Sequence, residues 1–366
     1  MIVTQLEFDG FRNLETGMIT PDPGVNIFYG DNAQGKTNLL EAIWLFTGGK
    51  SFRGSRDFET VCFGKERARL GLEFTAFGRR QRAEIEIQKR RKAWLGGIPL
   101  ESPAKLAGNF CAVVFFPAHL SLIKDGAEGR RRFIDTACCQ IRPGYVKILS
   151  SFSRALTQRN ALLRNLKQNP GLSRGGSQLA AWNERLASLG AQVFAARAGY
   201  VRRLIPAAGQ IYGGISGGEE LTICYKSSAG EQSITPQQAY SNLLALFKDN
   251  QTADLAAGFT TAGPHRDDLE ILIGGKSARV FGSQGQQRSA VLALKLAEAS
   301  LLKNATGEQP VALLDDVLSE LDTARQDYIL NHIKGWQVFI TCCDPNPALR
   351  MAGGRVNKVS GGRVTG

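Results

Sequence analysis

The sequence of 366 residues has little histidine, no paired cysteine motif and no long apolar run. Its 3 His and 7 Cys include no C-x-x-C arrangement, which argues against a zinc site and against a disulfide framework. The best apolar run, Cys111 to Phe116, ends at Pro117 and is far shorter than the ~20 residues that a membrane-spanning helix requires. The first residues, MIVTQLEFDGF, lack the basic start and apolar stretch of a signal peptide. We therefore expect a cytoplasmic protein with reduced thiols and no membrane partner.

Positive charge is in excess, with 45 Lys and Arg against 33 Asp and Glu and a net charge of +12. Such an excess attracts polyanions at long range but does not prove that one binds. Residues 124–174 contain 11 Lys and Arg against 3 Asp and Glu. The basic residues singled out here are Arg130, Arg131, Arg132, Arg154, Arg159, Arg164 and Lys167, and a second cluster comprises Arg79, Arg80, Arg82, Lys89, Arg90, Arg91 and Lys92. They are either solvated faces or a surface that contacts the DNA backbone without reading its sequence.

A phosphate loop is predicted between a buried strand, Val25–Tyr29, and a helix with apolar Leu39, Leu40 and Ile43. The loop residues are Gly30, Asp31, Asn32, Ala33, Gln34, Gly35, Lys36 and Thr37, which match G-x-x-x-x-G-K-[ST] in full. In such a loop backbone N–H groups surround the phosphates, the Lys neutralises their charge and the Thr hydroxyl contacts Mg²⁺. The pattern predicts that the chain binds a nucleotide together with Mg²⁺, but by itself it does not choose among kinases, GTPases, motors and ATPases.

Two carboxylates close a second buried strand, Val311 to Leu314. Asp315 suits the Mg²⁺ shell, and Asp316 is placed to polarise the attacking water. The alternative is a strand that ends in a solvated acidic turn, but this does not explain why both carboxylates end an apolar run. Together with Lys36, these two aspartates are the candidate catalytic residues, and Thr37 and Asp315 are the candidate metal ligands.

A second phosphate-binding surface is predicted at the start of the amphipathic helix 284–303. Ser283, Gln284, Gly285 and Gln286 supply a hydroxyl, free N–H groups and the positive end of a helix dipole. Any N-capped helix can begin with Ser, so the position of this motif just before the acidic strand gives it its weight. Ser319-Glu320-Leu321-Asp322 follows that strand, and another buried strand ends near Thr341.

Other patterns predict antiparallel strands over 68–100 and a hairpin of two helices around a loop at 169–176. Apolar positions recur at heptad-like spacing over 145–166 and 179–200. We favour a projecting antiparallel hairpin over two ordinary amphipathic helices on a globular core. Residues 263–268, GPHRDD, are either a capped turn or polar contacts near a nucleotide or dimer face.

The order of these motifs resembles the ATP-binding-cassette family, and the long helical insert resembles the heads of SMC proteins. The full set is similar to the RecF family of bacterial recombination mediators. The stretches that carry this resemblance are FRN (11–13), GDNAQGKTNLLEAI (30–43), VVFFP (113–117), RRRFID (130–135), GPHRDD (263–268), GSQGQQR (282–288), LLDD (313–316) and SELD (319–322). The implied fold is an α/β ATPase head of ABC/SMC type, with a mixed phosphate-loop sheet and an antiparallel β lobe. We assign residues 1–124 and 251–366 to the head and 125–250 to a helical arm.

The resemblance further implies a head-to-tail dimer clamped by ATP, in which Ser283, Gln284, Gly285 and Gln286 contact the partner's nucleotide. It places Arg12 and Asn13 near the nucleotide. It implies a weak, DNA-stimulated ATPase of recombinational repair and replication-fork maintenance, which helps recombinase loading at single-strand gaps and SOS induction. The implied partners are DNA, as duplex and as single-strand/duplex junctions, and RecR, with RecO in the same pathway.

Three departures from related proteins affect these expectations. The strand ending in Thr341-Cys342-Cys343 has no His where transporter ATPases carry one, and Asp316 replaces their usual Glu. Ala118-His119 stands where the family usually has a Glu-Asp pair. Whether this turn contacts the metal, as the corresponding loop of cassette ATPases does, is therefore open. Two alternatives stay open: an ABC-type ATPase subunit that energises a membrane transporter, and a scaffold that binds ATP without turnover.

Overall fold

The computed structural model describes residues 1–169, 175–345 and 354–365 and forms two compact units. The first unit consists of Met1–Leu120, Gly214–Gly218 and Arg288–Gly366, and the second of Ser121–Gly213 and Glu219–Gln287. The strands are β1 (Ile2–Asp9), β2 (Gly17–Ile19), β3 (Val25–Tyr29), β4 (Ala68–Ala76), β5 (Arg79–Ile87), β6 (Arg91–Leu95), β7 (Ile98–Pro99), β8 (Ala112–Phe115), β9 (Leu221–Lys226), β10 (Asp268–Ile273), β11 (Lys276–Ser277), β12 (Val311–Asp315), β13 (Val338–Cys342), β14 (Arg355–Ser360) and β15 (Arg363–Thr365). The α-helices are α1 (Lys36–Leu45), α2 (Ser121–Lys124), α3 (Ala127–Ile141), α4 (Tyr145–Gln168), α5 (Gly175–Ser216), α6 (Pro236–Asp249), α7 (Gln251–Ala257), α8 (Ala278–Phe281), α9 (Gln284–Thr306) and α10 (Thr323–His332).

The first unit contains a six-stranded sheet in the order β15-β14-β3-β13-β12-β8. Its inner strands pair in parallel, and only β15 is antiparallel to its neighbour. The residues of β8, β12 and β13 are buried throughout, as expected of parallel strands covered on both faces. The buried strands predicted around Val25, Val311 and Val338 are confirmed. Because Asp315 pairs with Thr341, and Cys342 with Tyr29, the residues that follow these strands meet at one edge of the sheet.

The predicted antiparallel lobe is a second six-stranded sheet, in the order β2-β1-β4-β5-β6-β7. Strand β5 alternates buried and partly exposed residues over Ala83–Ile87, which gives this sheet one face toward the core. Leu72 of this sheet, Ile43 of α1 and Phe339 of β13 belong to a single buried hydrophobic cluster. The lobe and the parallel sheet therefore share the core that supports the end of β3.

In the second unit α4 and α5 form the predicted antiparallel helix pair. Arg159 of α4 donates to Asn183 of α5 at 2.8 Å, and Phe152 lies opposite Gly190, where an added Cβ would come within 3.5 Å of its ring. Leu243 of α6 also reaches Gly190, and α7 packs against α4. Helices α6 and α7 thus cover part of the pair. The arrangement is intermediate between a projecting hairpin and two amphipathic helices packed on a globular core. Of the predicted loop at 169–176, residues 170–174 lie outside the described residues, and α5 begins at Gly175.

The structure groups residues 251–287 with the second unit, whereas the sequence assigned them to the head. The physical reason is pairing that the sequence does not display: β10 runs antiparallel to β9, with Asp268 opposite Lys226, and Asp254 forms a buried ion pair with Arg159. The other proposed boundary, after residue 124, lies four residues beyond Leu120.

Several arginines interpreted as part of a DNA-facing surface are internal, which corrects that interpretation. Arg159 is fully buried against Asp254, and Arg130 is 5% exposed and binds Asp268 through two hydrogen bonds. In the first unit, the Arg91 side chain is 6% exposed, donates to the Gly49 carbonyl and lies 3.6 Å from Asp57. Arg82 is occupied by three glutamates, Glu7, Glu73 and Glu84. Except for Glu84, which lies within the second basic cluster, these acidic partners lie outside the basic clusters that the sequence displays. Counting basic residues in the sequence therefore overstated the exposed positive charge.

The GPHRDD segment forms a 3-10 turn at Pro264–Arg266 and then enters β10. Asp267 is buried, accepts a hydrogen bond from Tyr225 at 2.5 Å and lies 3.5 Å from Arg197. Burial raises the pKa of Asp267, and the hydrogen bond from Tyr225 opposes that rise. Asp268 is the partner of Arg130. These contacts favour the capped-turn alternative.

Candidate nucleotide site

The phosphate loop leaves β3 through backbone conformations that require glycine at two positions. Gly30 has φ 153°, and a Cβ there would lie 2.2 Å from the carbonyl oxygen of Val359. Gly35 has φ 111° and would bring a Cβ within 2.9 Å of Asn13 Oδ1. Ala33 between them also has positive φ, at 65°. Neighbouring residues therefore pack closely against the loop. Its glycines are needed because a Cβ would clash with these neighbours and because the backbone has positive φ.

Helix α1 begins directly after this loop, with Gly35 as its N-cap and no side-chain cap. A Ser, Thr or Asp at the N-cap accepts a hydrogen bond from one of the first backbone N–H groups of the helix. Glycine has no side chain and leaves these N–H groups available. The first turn thus combines uncapped N–H groups with the positive end of the helix dipole, a combination that favours bound phosphate.

Lys36 lies folded over the loop and is only 7% exposed. Its Nζ donates to the carbonyl oxygens of Gly30 at 2.5 Å and Asp31 at 2.7 Å, and lies 3.7 Å from Cys343 Sγ. Cys343 Sγ in turn lies 3.2 Å from Asn32 Oδ1. The ammonium group thus holds the two ends of the loop together and carries its charge at the loop's centre.

Asp315 and Thr37 are in direct contact, as expected for two ligands of one cation. Asp315 Oδ1 accepts hydrogen bonds of 2.7 Å from both Thr37 Oγ1 and Thr341 Oγ1. Burial raises the pKa of this carboxyl, and the two hydroxyl donors oppose that rise. A carboxylate oxygen beside a hydroxyl oxygen is a donor set that suits Mg²⁺, so these residues fit the implied metal. Thr341 is a member of this cluster that the sequence did not single out.

Asp316 begins the turn after β12 in a left-handed conformation, with φ 49°. Aspartate tolerates this region better than most residues with a Cβ. Its N–H donates to the carbonyl oxygen of Thr341 at 3.1 Å, and its carboxylate accepts from Ser319 Oγ at 2.9 Å. The turn therefore directs the two neighbouring carboxylates differently: Asp315 is buried against Thr37, and Asp316 is only partly buried.

Arg12 and Asn13 differ in how they relate to the loop. Asn13 Nδ2 donates to the Ala33 carbonyl at 2.9 Å, so this residue contacts the loop directly. Arg12 instead forms a two-point ion pair with Glu41 of α1, at 2.8 and 3.0 Å. Glu41 is fully buried and was not identified from the sequence as a site residue.

A turn near the C-terminus holds the outer side of the loop. Gln34 Oε1 accepts from Gly361 N at 2.6 Å, and the Gln34 carbonyl accepts from Gly362 N at 2.9 Å. A Cβ on Gly362 would lie 2.0 Å from the Asn13 carbonyl oxygen. The adjacent glycines between β14 and β15 were the signal for a tight turn, but nothing in the sequence indicated its partner.

Ser283, Gln284, Gly285 and Gln286 lie at the start of α9, in the second unit. Ser283 Oγ accepts from Gln286 N at 3.2 Å, and Gln286 Oε1 accepts from Ser283 N at 2.9 Å. This is a reciprocal capping box, and Gln286 also donates to Glu219 at 2.8 Å. Helix α9 is thus capped by its own side chains, whereas α1 has no side-chain cap.

The Ala118-His119 departure falls in a 3-10 turn at Pro117–Leu120. His119 Nδ1 accepts from the backbone N–H of Phe116 at 3.3 Å, and the two rings lie 4.0 Å apart. The histidine therefore closes the turn after β8 in this structure.

Comparison with known proteins identifies the family. A family model described as an AAA domain matches residues 5–162. The DNA replication and repair protein RecF of Ruminiclostridium cellulolyticum is 40% identical over 373 aligned residues, covering 100% of this chain and 99% of the relative. The chain belongs to the RecF family.

Solved structures agree with this assignment. A structure of the recombination mediator protein RecF with ATP, from the RecFOR pathway, superposes with a TM-score of 0.91 at 35% identity, covering 99% of this chain and 96% of that one. An Smc head domain from Pyrococcus furiosus superposes with a TM-score of 0.56 at 15% identity, covering 100% and 95% of the two chains. The expected ABC/SMC-type head of this RecF-family chain is confirmed. Across the described residues, none of the helices combines the length and apolar character needed to cross a bilayer.

Proposed function

We propose that this chain is an ATP-dependent DNA-binding protein of recombinational repair and replication-fork maintenance, with weak DNA-stimulated ATPase activity. One observation carries the proposal. In a RecF-family chain, an uncapped phosphate loop and two strand-end carboxylates lie together, with Thr37 2.7 Å from Asp315. The relative solved with ATP supports the choice of nucleotide.

In this proposal the backbone N–H groups at the start of α1 and the Lys36 ammonium bind the phosphates. Thr37 and Asp315 would hold Mg²⁺, which when bound neutralises charge on the β- and γ-phosphates. Lys36 exchanges part of its bonding to the Gly30 and Asp31 carbonyls for phosphate oxygens. Asp316 accepts a hydrogen bond from the attacking water and takes its proton, because its carboxylate is partly exposed next to the buried Asp315.

We further propose that ATP clamps two copies head to tail. Ser283, Gln284, Gly285 and Gln286 would then contact the partner's nucleotide. The Ser283 hydroxyl and the first amides of α9 are suited to this role, since a helix N-terminus binds phosphate. The hydrogen bond that Ser283 Oγ accepts from Gln286 N, at 3.2 Å, would then be replaced by contacts of both groups with the partner's phosphate. Hydrolysis would release the clamp.

The proposed partners are DNA, as duplex and as single-strand/duplex junctions, and RecR in the same pathway as RecO. Arg154, Arg164 and Lys167 of α4 are exposed and keep their charge available to a phosphate backbone. The biological role we propose is to help direct recombinase loading at single-strand gaps and SOS induction, in the cytoplasm.

The oligomeric state tests the clamp. Light scattering after size-exclusion chromatography is expected to show a monomer without nucleotide and a dimer with ATP and Mg²⁺, and duplex DNA should strengthen the dimer. Ser283→Arg should abolish dimerisation while ATP binding to the monomer persists. A Ser283→Arg protein that dimerises normally would refute the clamp.

Turnover separates an ATPase from a scaffold that only binds ATP. Asp316→Asn should lower the DNA-stimulated rate by about a hundredfold, the usual contribution of a general base, with little change in the Kd for ATP. Equal rates for the variant and the native protein would show that Asp316 is not the base.

A further inference from the structure

Glu41 is a buried carboxylate that the proposed chemistry does not use. It lies on α1, five residues after Lys36, and its side chain is 0% exposed. A carboxylate removed from water persists only where charged and polar partners compensate it. Its partners therefore indicate what it does.

Those partners come from two segments of the first unit. Arg12 Nη2 donates to Oε1 at 2.8 Å, and Arg12 Nε donates to Oε2 at 3.0 Å. Ser51 Oγ also donates to Oε1, and Arg53 Nη1 lies 3.9 Å from Oε2. The parallel two-point pairing with Arg12 fixes the plane of the guanidinium, which a lysine could not reproduce.

The remaining donors of Arg12 are also largely occupied. Nη2 donates to Ser55 Oγ at 2.8 Å, and Nη1 donates to the Glu59 carbonyl at 3.1 Å. With the two bonds to Glu41, these contacts account for four of the five N–H donors of an arginine side chain. Arg12 is therefore held in one orientation, with little capacity left for a further ligand.

The backbone at Arg12 needs such support, because its φ is 54°. Left-handed backbone is unfavourable for a side chain with a Cβ, and it persists where its surroundings enforce it. The Arg12 N–H donates to the Thr60 carbonyl at 2.7 Å. The side-chain and backbone bonds together fix the direction in which the chain enters Asn13.

Asn13 in turn contacts the phosphate loop at several points. Its Nδ2 donates to the Ala33 carbonyl at 2.9 Å, and its Oδ1 accepts from Asn38 at 2.7 Å. That Oδ1 is also the atom that a Cβ on Gly35 would approach to 2.9 Å. A change in the direction of Asn13 would therefore alter the support of the loop at Ala33 and Gly35.

We infer that Glu41 is a positioning residue of the nucleotide site. Through its two-point pair with Arg12 it fixes the left-handed turn that seats Asn13 against the phosphate loop, so that the loop is shaped before ATP arrives. This inference rests on the proposed binding of ATP at the loop. In it the part of Arg12 in nucleotide binding is indirect, through Asn13.

The test is a double-mutant cycle of Glu41→Gln and Asn13→Ala, read as the Kd for a fluorescent ATP analogue and as the thermal midpoint. Each single variant should weaken binding by about tenfold, the lower end of the range that loss of an outer-shell partner of a binding site produces. The double variant should be no weaker than the weaker single variant, because both act through one contact. The loss of affinity should exceed any loss in the turnover number at saturating ATP, because the substitutions disturb the loop that binds ATP and not Asp316. Glu86→Gln, which removes the partner of Arg69 on the antiparallel sheet, is the matched control and should leave Kd unchanged.

Three results would overturn the inference. A lower thermal midpoint of Glu41→Gln with an unchanged Kd would mean that Glu41 supports the fold only. Tighter ATP-analogue binding by Glu41→Gln would mean that Glu41 restrains Arg12 from binding the nucleotide. A Kd of the double variant that equals the product of the two single effects would mean that Glu41 and Asn13 act on binding independently. If Glu41→Gln does not fold, Arg12→Lys replaces it in the same cycle, since it keeps the charge but loses the two-point pair. Failure of the proposed function is distinguishable, because then the native protein would not bind the analogue, or Lys36→Ala would bind it equally well.

Discussion

The charged residues around the phosphate loop of the first unit and those on α4 and α5 of the second unit are used in different ways. In the first, Lys36, Asp315 and Asp316 lie near the ends of parallel strands. Their hydrogen-bond partners are Ser and Thr hydroxyls and backbone carbonyls, which a ligand can replace. In the second, Arg159 and Arg197 are turned into the interior against aspartates. The comparison teaches that a dense run of basic residues in a sequence does not measure the positive charge that a folded unit presents.

The buried pair of the second unit should give the largest stability effect. Arg159→Ala leaves Asp254, which is fully buried, without its cation, and breaking a buried pair costs about 3–5 kcal/mol. Arg154→Ala, on the exposed face of the same helix, should change the free energy of unfolding by less than about 0.5 kcal/mol. Urea unfolding followed by circular dichroism measures both. A loss below about 1 kcal/mol for Arg159→Ala would place this pair with ordinary surface pairs and remove the contrast between the units.

The charged centre of the first unit should behave in the opposite way. Lys36→Ala removes charge-assisted hydrogen bonds to phosphate, each worth about 1.5–3 kcal/mol, so the Kd for ATP should rise by at least about tenfold. The free energy of unfolding should fall by only about 1 kcal/mol, since backbone carbonyls are its partners and can turn to water. Isothermal calorimetry with Lys65→Ala as control, a lysine paired with Asp9 on the surface, tests the prediction. Unchanged ATP affinity would show that the loop does not bind phosphate.

Features of the fold and the site could be predicted from the sequence where the interacting residues are close together in the chain. The phosphate loop and the strands ending at Tyr29, Asp315 and Cys342 are set by neighbouring residues, and all were predicted. The start of α9 is equally local, since Ser283 and Gln286 are three residues apart, but the sequence pattern was interpreted as a phosphate-binding surface with free N–H groups and not as a capping box.

Interactions between distant residues were not predictable. Asp254 lies 95 residues after Arg159, and Gly361 lies 327 residues after Gln34. Charge and burial patterns within a window cannot identify such partners, so Arg130 and Arg159 were interpreted as surface residues. Glu41 was overlooked for a related reason: in a helix it has the pattern of a solvated residue, and only the fold brings Arg12 to it.

Salt dependence of DNA binding separates exposed from buried arginines within the second unit. Arg154, Arg164 and Lys167 are exposed on α4, and each phosphate contact that is lost lowers the slope of log affinity against log salt by about 0.9. The triple alanine variant should therefore bind duplex DNA more weakly and with a slope reduced by up to about 2.7. Arg130→Ala should lower stability through its lost bonds to Asp268 and leave the slope unchanged. If Arg130→Ala alone reduces the slope, that arginine leaves its pocket to bind DNA, and the distinction between buried and exposed charge does not hold.

Cysteine reactivity gives the smallest and most local contrast between the units. All seven cysteines are described, and Cys343, beside Lys36 and Asn32, is the exposed one. In the second unit burial raises the pKa of Cys139 to about 12, so at pH 8 only about one thiol in ten thousand there is a thiolate. Iodoacetamide should therefore modify Cys343 well before Cys138 or Cys139, and ATP should slow that reaction because Cys343 lies against the phosphate loop. Peptide mapping by mass spectrometry, with Cys343→Ser to confirm the site, measures both rates. Labelling of Cys343 that ATP does not affect would mean that its contact with Lys36 is not maintained in the nucleotide-bound site.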